Sequence, residues 1–364
     1  MIEIDGSYLE GGGQILRTAC SLSAVLKIPC HIKNIRKNRP KPGLKTQHLL
    51  GIRSLAKLCN TRLIGDKLNS EEIFFYPGET KARELTIKIP TAGSITLILQ
   101  TLMLPALFAN SSKKQTPVIV TFDGGATDTF FAPTIDYTRL VLLEILSKLG
   151  IKDIDIKILN RGFYPEGGAK VRVKISPVSK ILPLNLIERG KLKKIQIISG
   201  ASIKLKHNQV AERQLNSAKS IIEKITSNIE TQVEYYPSLS TGSQINIVGW
   251  FENTVIGSDN LGKIGKPAEQ VGKEVAMQFL EEFESNATLD RYLADQILPY
   301  ISLASESSTI SVSRITKHCK TNLWVIEKFI QGKFKISEVK NIIKFIPATA
   351  TESLDRTNCK KARL

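Results

Sequence analysis

The chain has 364 residues, of which 42% are hydrophobic and 23% charged, a balance typical of a folded globular protein and not of a disordered one. This length exceeds one ordinary core and predicts either two domains or an assembly of repeats. The 51 Lys and Arg outnumber the 34 Asp and Glu, which leaves a net charge of +17 and a pI near 9.6. Such an excess favours a polyanionic partner, nucleic acid above all, although basic surfaces also exist without one.

Membrane, exported and metal-bound classes are disfavoured by three features. The longest apolar stretch, LILQTLMLPALFA, is interrupted by Gln100 and Thr101, so we expect no membrane span. The start, MIEIDGSYLEG, has neither a basic region nor an apolar core, so we expect no export signal and a cytoplasmic protein. The five cysteines, at 20, 30, 59, 319 and 359, form no C-x-x-C pair, and the four histidines form no H-x-x-x-H pair. We therefore expect reduced thiols, without a zinc site or a disulfide scaffold.

The segment EGGGQILR, residues 10–17, stands between the strand-like IEID and the helical pattern LRTACSLSAVL. Three successive glycines cost backbone entropy on folding, and such runs serve as tight connections about as often as ligand cradles. A glycine turn between strand and helix brings backbone N–H groups and a helix N-terminus to one point, which stabilises an anion. Glu10 and Arg17 favour a ligand site, since a Mg²⁺ ion bridges a carboxylate and a phosphate. The alternative for Arg17 is a surface salt bridge.

Residues 30–48 contain six basic side chains and no acidic one. Pro40, Pro42 and Gly43 exclude a helix through the middle of this segment, so we predict that the charges lie on a loop. One interpretation is a solvated loop. The other is a loop that tracks phosphates, and its closeness in sequence to the glycine run favours this second interpretation.

Two markers recur along the chain at nearly one spacing. The helix ends SLAKLC and ILSKLG are 91 positions apart, and the FYP strings begin at Phe75 and Phe163, 88 positions apart. Each helical segment, 48–59 and 140–150, leads through FYP to an alternating strand pattern, LTIKIP or VRVKIS. We therefore predict repeated units of about ninety residues that alternate strands and helices in an α/β body.

A small α+β domain is predicted between the second and third units. Residues 184–271 contain a basic linker, a strand pattern KKIQIISGASIKL, a helix pattern VAERQLNSAKSIIEKIT, and strand patterns TQVEYYP and QINIVGWFE. The helix pattern VGKEVAMQFLEEFES, 271–285, then predicts a helix of the third unit. The resulting domains are a main repeat domain, 1–183 and 272–345, an inserted domain, 184–271, and a C-terminal tail, 346–364.

The stretch LDRYLADQILPYISLA, residues 289–304, predicts an amphipathic helix. It carries Asp295 and Gln296, whose polar groups either hydrogen-bond a base or face water. Tyr292 offers a flat ring for stacking. On this stretch alone, a solvated helix surface is the favoured interpretation.

In KHCKTNLWVIEKFI, His318 directly precedes a helix whose predicted N-cap is Thr321 or Asn322. The positive end of a helix disfavours an imidazolium and favours a bound anion. A neutral imidazole is a nucleophile towards phosphorus at physiological pH, provided that the phosphate charge is neutralised. The alternative is a surface histidine without chemical function.

Seven strings, taken in chain order, resemble the motifs of the RNA 3'-terminal phosphate cyclase family. They are EGGGQILR, IRKNRPKPGLKTQH, AGSITLILQ, GGATD, GFYPEGG, YLADQ and HCKTN. The resemblance spans residues 6–330 and is loose only in the insert. It implies a mixed α/β (α+β) fold with three β-α-β-α-β-β units, similar to the C-terminal domain of translation initiation factor three, and a smaller inserted α/β domain.

The resemblance also implies a reaction, the ATP-dependent conversion of an RNA 3'-terminal phosphate to a 2',3'-cyclic phosphate through a histidine–AMP adduct and an RNA-adenylate. It implies His318 as the adenylylated nucleophile and Glu10 as the ligand of Mg²⁺ or Mn²⁺. The implied contacts to phosphates and RNA are Arg17, Arg36, Arg39 and Gln47. The implied contacts to the nucleotide are Gln100, Phe130, Phe131, Tyr292, Asp295 and Gln296. Phe130 or Phe131 would form one wall of an adenine slot opposite Tyr292.

Two positions depart from the family pattern. Ala169 stands where a third glycine is common, and the residues before His318, SRITK, differ from the commoner Pro-Ser-Cys approach.

Three rival functions stay open: a non-catalytic cyclase-like protein of ribosome assembly, an enolpyruvyl transferase of similar repeat fold, and an RNA-binding protein without catalysis. His318 speaks against the first, and the charge of +17 against the second. The oligomeric state is left open, with a homodimer as one alternative.

Overall fold

The computed structural model of the chain describes residues 1–109 and 116–348. Within these ranges the strands form four mixed sheets of four strands each, covered by helices. The predicted mixed α/β class is therefore confirmed. The predicted tail, 346–364, lies outside the described residues from position 349 onward.

The first repeat unit has the order β-α-β-α-β-β. It consists of β1 (Ile2–Asp5), α1 (Gly13–Leu26), β2 (Cys30–Lys33), α2 (Thr46–Cys59), β3 (Arg62–Ile64) and β4 (Ile73–Tyr76). The sheet order is β1-β2-β4-β3, in which β1 and β2 are parallel and the other pairs antiparallel. Parallel neighbours need a crossover connection, and α1 supplies it.

The second unit repeats this topology strand for strand. It consists of β5 (Glu84–Ser94), α3 (Ile95–Ala106), β6 (Val118–Ala126), α4 (Ile135–Tyr137), a π-helical segment (Thr138–Leu142), α5 (Leu143–Lys148), β7 (Ile154–Asn160) and β8 (Lys170–Ile175). The sheet order is β5-β6-β8-β7, again with one parallel pair and two antiparallel pairs.

The third unit begins with a short strand, β9 (Asn185–Leu186), and is then interrupted by the insert. The insert consists of β10 (Leu192–Ser202), a 3₁₀ helix (Ile203–Asn208), α6 (Val210–Ile222), β11 (Ile229–Tyr236), β12 (Ser243–Phe251), β13 (Val255–Leu261) and α7 (Ala268–Glu284). Its sheet order is β11-β10-β12-β13. Two helices, α6 and α7, pack side by side on this sheet.

After the insert the third unit resumes and completes the same topology. Its remaining elements are α8 (Arg291–Ile301), β14 (Ser308–Ser311), α9 (Lys317–Phe329), β15 (Lys333–Ser337) and β16 (Ile342–Ile346). The sheet order, read from its first strand, is β9-β14-β16-β15. Strand β9 pairs in parallel with β14, although more than a hundred residues of chain separate them.

The predicted helix 271–285 belongs to the insert and not to the third unit, so that prediction was wrong. Helix α7 buries Val275 and Phe279 in the core of the insert, together with Ile195 and Ile245 of its sheet. A fully buried side chain of this size contributes about 1.5–3 kcal/mol, which fixes α7 to the insert sheet. We therefore propose domain boundaries in which the insert ends at Glu284 and the third unit includes β9.

Of the two repeat markers, only the helix ends occupy equivalent positions. SLAKLC ends α2, and ILSKLG runs two residues past α5, which closes the helical run 135–148. This run and α2 are the second helical segments of their units. The FYP strings are not equivalent, because Phe75 lies within β4 whereas Phe163 lies between β7 and β8. Every unit contains several strands of similar sequence pattern. A string as short as FYP can therefore recur by chance at positions that are not equivalent in two units.

Two further findings concern the helices and the cysteines of the described residues. No helix within residues 1–109 and 116–348 is long and apolar enough to cross a membrane. The four cysteines in these ranges are buried free thiols, and Cys359 lies outside them.

Candidate active site

The glycine turn between β1 and α1 brings three elements into close contact. Gly11 has a left-handed backbone with φ of +54°, Gly12 is the N-cap of α1, and Gly13 is its first residue. A Cβ on Gly13 would lie 2.3 Å from Nε2 of His48, which sits in the first turn of α2. The run of glycines thus lets the start of α2 approach the start of α1, where both helices present free N–H groups.

His318 lies in the first turn of α9 and not before it. The N-cap is Thr316, whose hydroxyl oxygen accepts a hydrogen bond from the N–H of Cys319 at 3.0 Å, so the predicted cap at Thr321 or Asn322 was wrong. Tyr8 stacks on Trp324 with a ring-centroid distance of 4.1 Å, which holds α9 against the glycine turn. A third helix N-terminus therefore points at the same place.

Glu10 and His318 are in direct contact. Oε2 of Glu10 lies 2.9 Å from Nδ1 of His318, and the two side chains are 33% and 46% exposed. Partial burial lowers the pKa of His318; Glu10 opposes this shift, and the positive charges of Arg17 and Arg39 add to it. A neutral ring that donates from Nδ1 to Glu10 has its free lone pair on Nε2.

The loop between β2 and α2 carries the basic residues, as predicted. Nη2 of Arg39 lies 3.9 Å from Oε2 of Glu10, which brings this arginine to the glycine turn. Arg36 has a left-handed backbone with φ of +57°, and its Nη1 donates to the carbonyls of Lys41 at 2.7 Å and Gly43 at 3.2 Å. Arg36 therefore braces its own loop, and only Arg39 of the pair contacts Glu10.

Arg17 and Asp295 are the charged residues that line the cavity of the site. They line a narrow cavity of about 50 Å³ between α1, α3, α8 and α9. Burial lowers the pKa of Arg17 to about 10, against the opposing charge of Asp295. Burial also raises the pKa of Asp295 to about 7, although Arg17 opposes this.

Polar side chains on α3 and α8 form a second set along the same cavity. Nε2 of Gln100 donates to Oε1 of Gln296 at 2.8 Å, and Nε2 of Gln296 donates to the carbonyl of Tyr292 at 2.8 Å. Tyr292 leaves 49% of its surface exposed. The predicted residues of YLADQ and the predicted glutamine of AGSITLILQ are thus joined by hydrogen bonds.

The remaining predicted residues are Phe130, Phe131 and Gln47. Phe130 and Phe131 lie on the exposed loop between β6 and α4, with 43% and all of their surface exposed. Gln47 lies in the first turn of α2, and its Cβ is 3.7 Å from the position a Cβ would take on Gly93. No contact joins Gln47 or the phenylalanines to His318 in the described residues. Their ligand roles stay predictions.

Three further polar residues belong to the site and were missed from the sequence. Nε2 of Gln14 donates to the carbonyl of His318 at 2.6 Å. Asn322 accepts from the hydroxyl of Thr18 at 2.8 Å and donates to the carbonyl of Asp295 at 2.8 Å. These residues lie inside the quoted motifs, and Asn322 is four positions after His318, which is the spacing of one helix face.

The third missed residue is His48. Its Nδ1 accepts a hydrogen bond from the backbone N–H of Lys45 at 3.2 Å. Burial lowers the pKa of His48 to about 3, with the charges of Arg17, Arg36 and Lys45 adding to the shift. His48 is therefore neutral with its hydrogen on Nε2, and that N–H points at Gly13.

Taken together, these elements define a three-unit repeat protein in which helix N-termini, arginines and a carboxylate surround an imidazole. A family model described as RNA 3'-terminal phosphate cyclase matches residues 8–336. The chain therefore belongs to the RNA 3'-terminal phosphate cyclase family, as its motifs suggested.

Relatives named RNA 3'-terminal phosphate cyclase match the chain over nearly its whole length. A Methanopyrus kandleri protein is 41% identical over 345 residues, which cover 92% of this chain and 95% of the relative. A Pyrococcus furiosus protein is 43% identical over 336 residues, with shares of 92% and 95%. A Sulfurisphaera tokodaii protein is 43% identical over 349 residues, with shares of 94% and 98%.

Proposed function

We propose that this chain converts an RNA 3'-terminal phosphate to a 2',3'-cyclic phosphate at the expense of ATP. Membership of the family and the names of its relatives support the overall reaction. The observation that carries the proposal for this chain is the 2.9 Å contact between Glu10 and His318 beside the glycine turn. A cytoplasmic location, where ATP and Mg²⁺ are available, belongs to the same proposal.

In the first step, Nε2 of His318 attacks the α-phosphorus of ATP. A nitrogen–phosphorus bond forms, the bond to the β-phosphate oxygen breaks, and pyrophosphate leaves. The contact of Nδ1 with Glu10 supports Nε2 as the nucleophilic atom, because an imidazole that donates from one nitrogen attacks with the other. Gln14 supports the geometry by fixing the backbone carbonyl of His318.

Glu10 is also the residue that suits a divalent metal, Mg²⁺ or Mn²⁺. The described residues contain no group of three or more His, Cys, Asp or Glu that could hold a metal ion. Magnesium typically takes one or two carboxylates and completes its shell with water and substrate phosphate oxygens, so a single half-exposed glutamate fits it. The ion would supply charge neutralisation for the phosphates gathered in the site.

In the second step, an oxygen of the RNA 3'-phosphate attacks the phosphorus of the histidine-bound AMP. The nitrogen–phosphorus bond breaks, which frees His318 and leaves an RNA-adenylate. The neighbouring 2'-hydroxyl then attacks the 3'-phosphorus, loses its proton and expels AMP, so the ring closes. Proximity supplies much of this last rate, since the hydroxyl and the activated phosphate belong to one ribose.

The basic residues supply the charge that these steps require. Arg17, Arg39 and Arg36, with Gln47, are proposed to contact phosphates of ATP and RNA. Guanidinium groups suit this role because their planar donors match phosphate oxygens in pairs. The helix N-termini at Gly13 and Thr316 add N–H groups directed at the same phosphates.

The nucleotide base is proposed to lie between α8 and the loop that follows β6. Tyr292 offers an exposed ring, and Phe130 or Phe131 the facing wall. Asp295 and Gln296 on α8 and Gln100 on α3 line the same cavity as Arg17, and the hydrogen bond between the two glutamines supports contacts to the ribose and α-phosphate.

A direct assay tests the overall reaction. The chain is incubated with ATP, Mg²⁺ and an oligoribonucleotide that ends in a 3'-phosphate, and the end is then treated with phosphatase. Resistance of the end, with one AMP released per RNA, is the expected result. Tight RNA binding with an end that stays sensitive would favour the non-catalytic cyclase-like alternative, and weak, salt-insensitive RNA binding would favour a small-metabolite enzyme.

A further inference from the structure

A buried ion cluster lies in the second unit and involves none of the residues of the candidate active site. Nη1 of Arg161 donates to Oδ2 of Asp128 at 3.2 Å, and its Nη2 lies 2.6 Å from Oδ2 of Asp136. The arginine side chain is 5% exposed, and the two carboxylates are 0% and 3% exposed. Taking three charges out of water costs several kcal/mol for each ion, and this cost is offset only where the geometry is good and further hydrogen bonds satisfy the charged groups.

The two carboxylates stand on either side of the loop that carries Phe130 and Phe131. Asp128 is the second residue after β6, and Asp136 lies in α4. A single planar guanidinium therefore joins the two ends of this loop, and the N–H of Ile135 closes it with a hydrogen bond to the carbonyl of Thr127 at 3.1 Å.

The loop needs such restraint because its backbone is strained. Phe131 has a left-handed backbone with φ of +64°, a region that bulky side chains rarely adopt, and its ring is fully exposed. A residue in this region costs of order 1–3 kcal/mol and keeps its conformation only when its surroundings fix it. Within the described residues, no contact of the exposed Phe131 ring fixes this backbone conformation. The restraint therefore comes from the ends of the loop.

The insert holds the same loop from the other side. The N–H of Thr134 donates to Oδ2 of Asp259 at 2.6 Å, and its hydroxyl donates to Oδ1 of Asn246 at 2.7 Å. The ring of Tyr236, also in the insert, lies under the guanidinium of Arg161, 4.5 Å from its carbon to the ring centroid. Arg161 is thus the point where the loop, the second unit and the insert meet.

We propose that Arg161 is a positioning residue of the nucleotide site, which fixes both ends of the 128–134 loop so that its phenylalanines meet the adenine. This inference rests on the proposed function, in which Phe130 or Phe131 forms a wall of the adenine slot. Arg161 touches no substrate, and it acts on ATP through the loop alone. The insert is by the same contacts a part of the scaffold of the site.

The test uses Arg161→Lys in the full chain. Lysine keeps the charge but lacks the planar fork that reaches two carboxylates, so the loop is freed at one end. The KM for ATP in the adenylylation half-reaction, without RNA, is expected to rise about tenfold, a typical effect of losing one positioned aromatic contact. The KM for RNA at saturating ATP and the maximal adenylylation rate are expected to change less than twofold.

Arg172→Lys is the matched control, because Arg172 lies half-exposed on β8 with one distant partner, Glu84 at 4.0 Å. It is expected to leave all three quantities unchanged. Asp136→Asn is the second variant, since it frees the α4 end of the loop and leaves Arg161 and Asp128 as a balanced pair. It is expected to raise the KM for ATP in the same way as Arg161→Lys.

The outcomes separate this inference from the proposed function. An unchanged KM for ATP in either folded variant overturns the positioning role, as does an equal loss in every kinetic quantity, which would indicate general damage. Phe130→Ala combined with Phe131→Ala tests the slot itself. If that double variant raises the KM for ATP while Arg161→Lys does not, the slot stands and the positioning role fails; if the double variant has no effect, the slot fails.

Discussion

Two charged clusters of similar composition serve different purposes in this protein. Glu10, His318 and Arg39 meet beside the glycine turn with side chains 33%, 46% and 40% exposed and contacts of 2.9 and 3.9 Å. The cluster of Arg161 with Asp128 and Asp136 is nearly inaccessible, with contacts of 3.2 and 2.6 Å. The Glu10 cluster stays accessible to water and to ligands, whereas the Arg161 cluster is proposed to hold a loop in place.

The difference shows how exposure separates chemistry from scaffold. An exposed ion pair is typically worth about 0–1 kcal/mol, so its members exchange partners readily when a phosphate or a metal arrives. Breaking a buried pair by removing one partner costs about 3–5 kcal/mol, because the remaining charge is left without compensation. Substitutions in the first cluster should therefore change the chemical step, whereas loss of charge in the second should change stability, in addition to the effect on the KM for ATP that acts through the loop.

The largest effect is expected at the exposed cluster from His318→Ala. Removal of the attacking nitrogen should lower the transfer of labelled AMP from ATP to the protein by at least about 1,000-fold. The free energy of unfolding should stay within about 1 kcal/mol of the original protein, because the ring is half-exposed. His207→Ala, an exposed histidine of the insert, is the control and should label normally. Labelling that survives in His318→Ala would remove the proposed nucleophile.

Arg161→Leu is expected to have the next effect, on stability. It leaves Asp128 buried without a positive partner and Asp136 with only the partly exposed Arg139 at 3.4 Å, so urea unfolding should show a loss of about 3–5 kcal/mol. Arg39→Leu is the counterpart in the exposed cluster, and it should cost less than about 1 kcal/mol. Equal losses for the two variants would mean that burial does not distinguish the clusters.

Glu10→Gln sharpens the assignment of the carboxylate. The amide oxygen still accepts from Nδ1 of His318, so the ring keeps its orientation, but the charge that suits a metal is lost. We expect adenylylation to slow by about 10–100-fold, with a higher Mg²⁺ concentration at half-maximal rate. A slower rate with an unchanged Mg²⁺ requirement would assign Glu10 to orienting His318 alone.

The smallest effect concerns His48 and the dependence of stability on pH. Its pKa in the folded protein, about 3, is below the ordinary value of 6.5, so the folded state disfavours the charged ring. The contribution of neutral His48 to the free energy of unfolding is fully present above pH 6.5. It is lost as the pH falls, by up to about 1.4 kcal/mol for each pH unit below that value. Glutamine at this position accepts from the same helix N–H and cannot titrate.

The comparison is made by urea unfolding at several pH values between 7 and 5. The original protein should lose more stability over this range than His48→Gln does. Parallel curves for the two proteins would show that His48 is accessible to protons in the folded state, contrary to its burial.

Local patterns in the sequence were sufficient for much of the fold. The alternation of strands and helices, the glycine turn, the loop within the basic segment 30–48 and the helix that carries Tyr292 depend on neighbours in the chain, and the structure contains each of them. The motifs also contained the residues that gather at the glycine turn, since Glu10, Arg17 and His318 each belong to a quoted string.

Other features depended on contacts between distant segments. Helix α7 resembles a repeat helix in its periodicity, and only the insert sheet against which Phe279 packs decides where it belongs. In the same way, the sequence predicts Asn322 as a helix cap, yet α9 begins at Lys317. The side chain of Asn322 instead bridges Thr18 and the backbone carbonyl of Asp295.

The sequence by itself determined the repeat elements, the basic character and the chemical groups available for phosphate chemistry, because periodicity and residue type act over a few neighbouring positions. Only the tertiary structure decided that His318 meets Glu10 and that one buried arginine holds both ends of the loop with Phe130 and Phe131. These contacts join residues up to about three hundred positions apart, and their formation is governed by how the units and the insert pack, which no local pattern encodes.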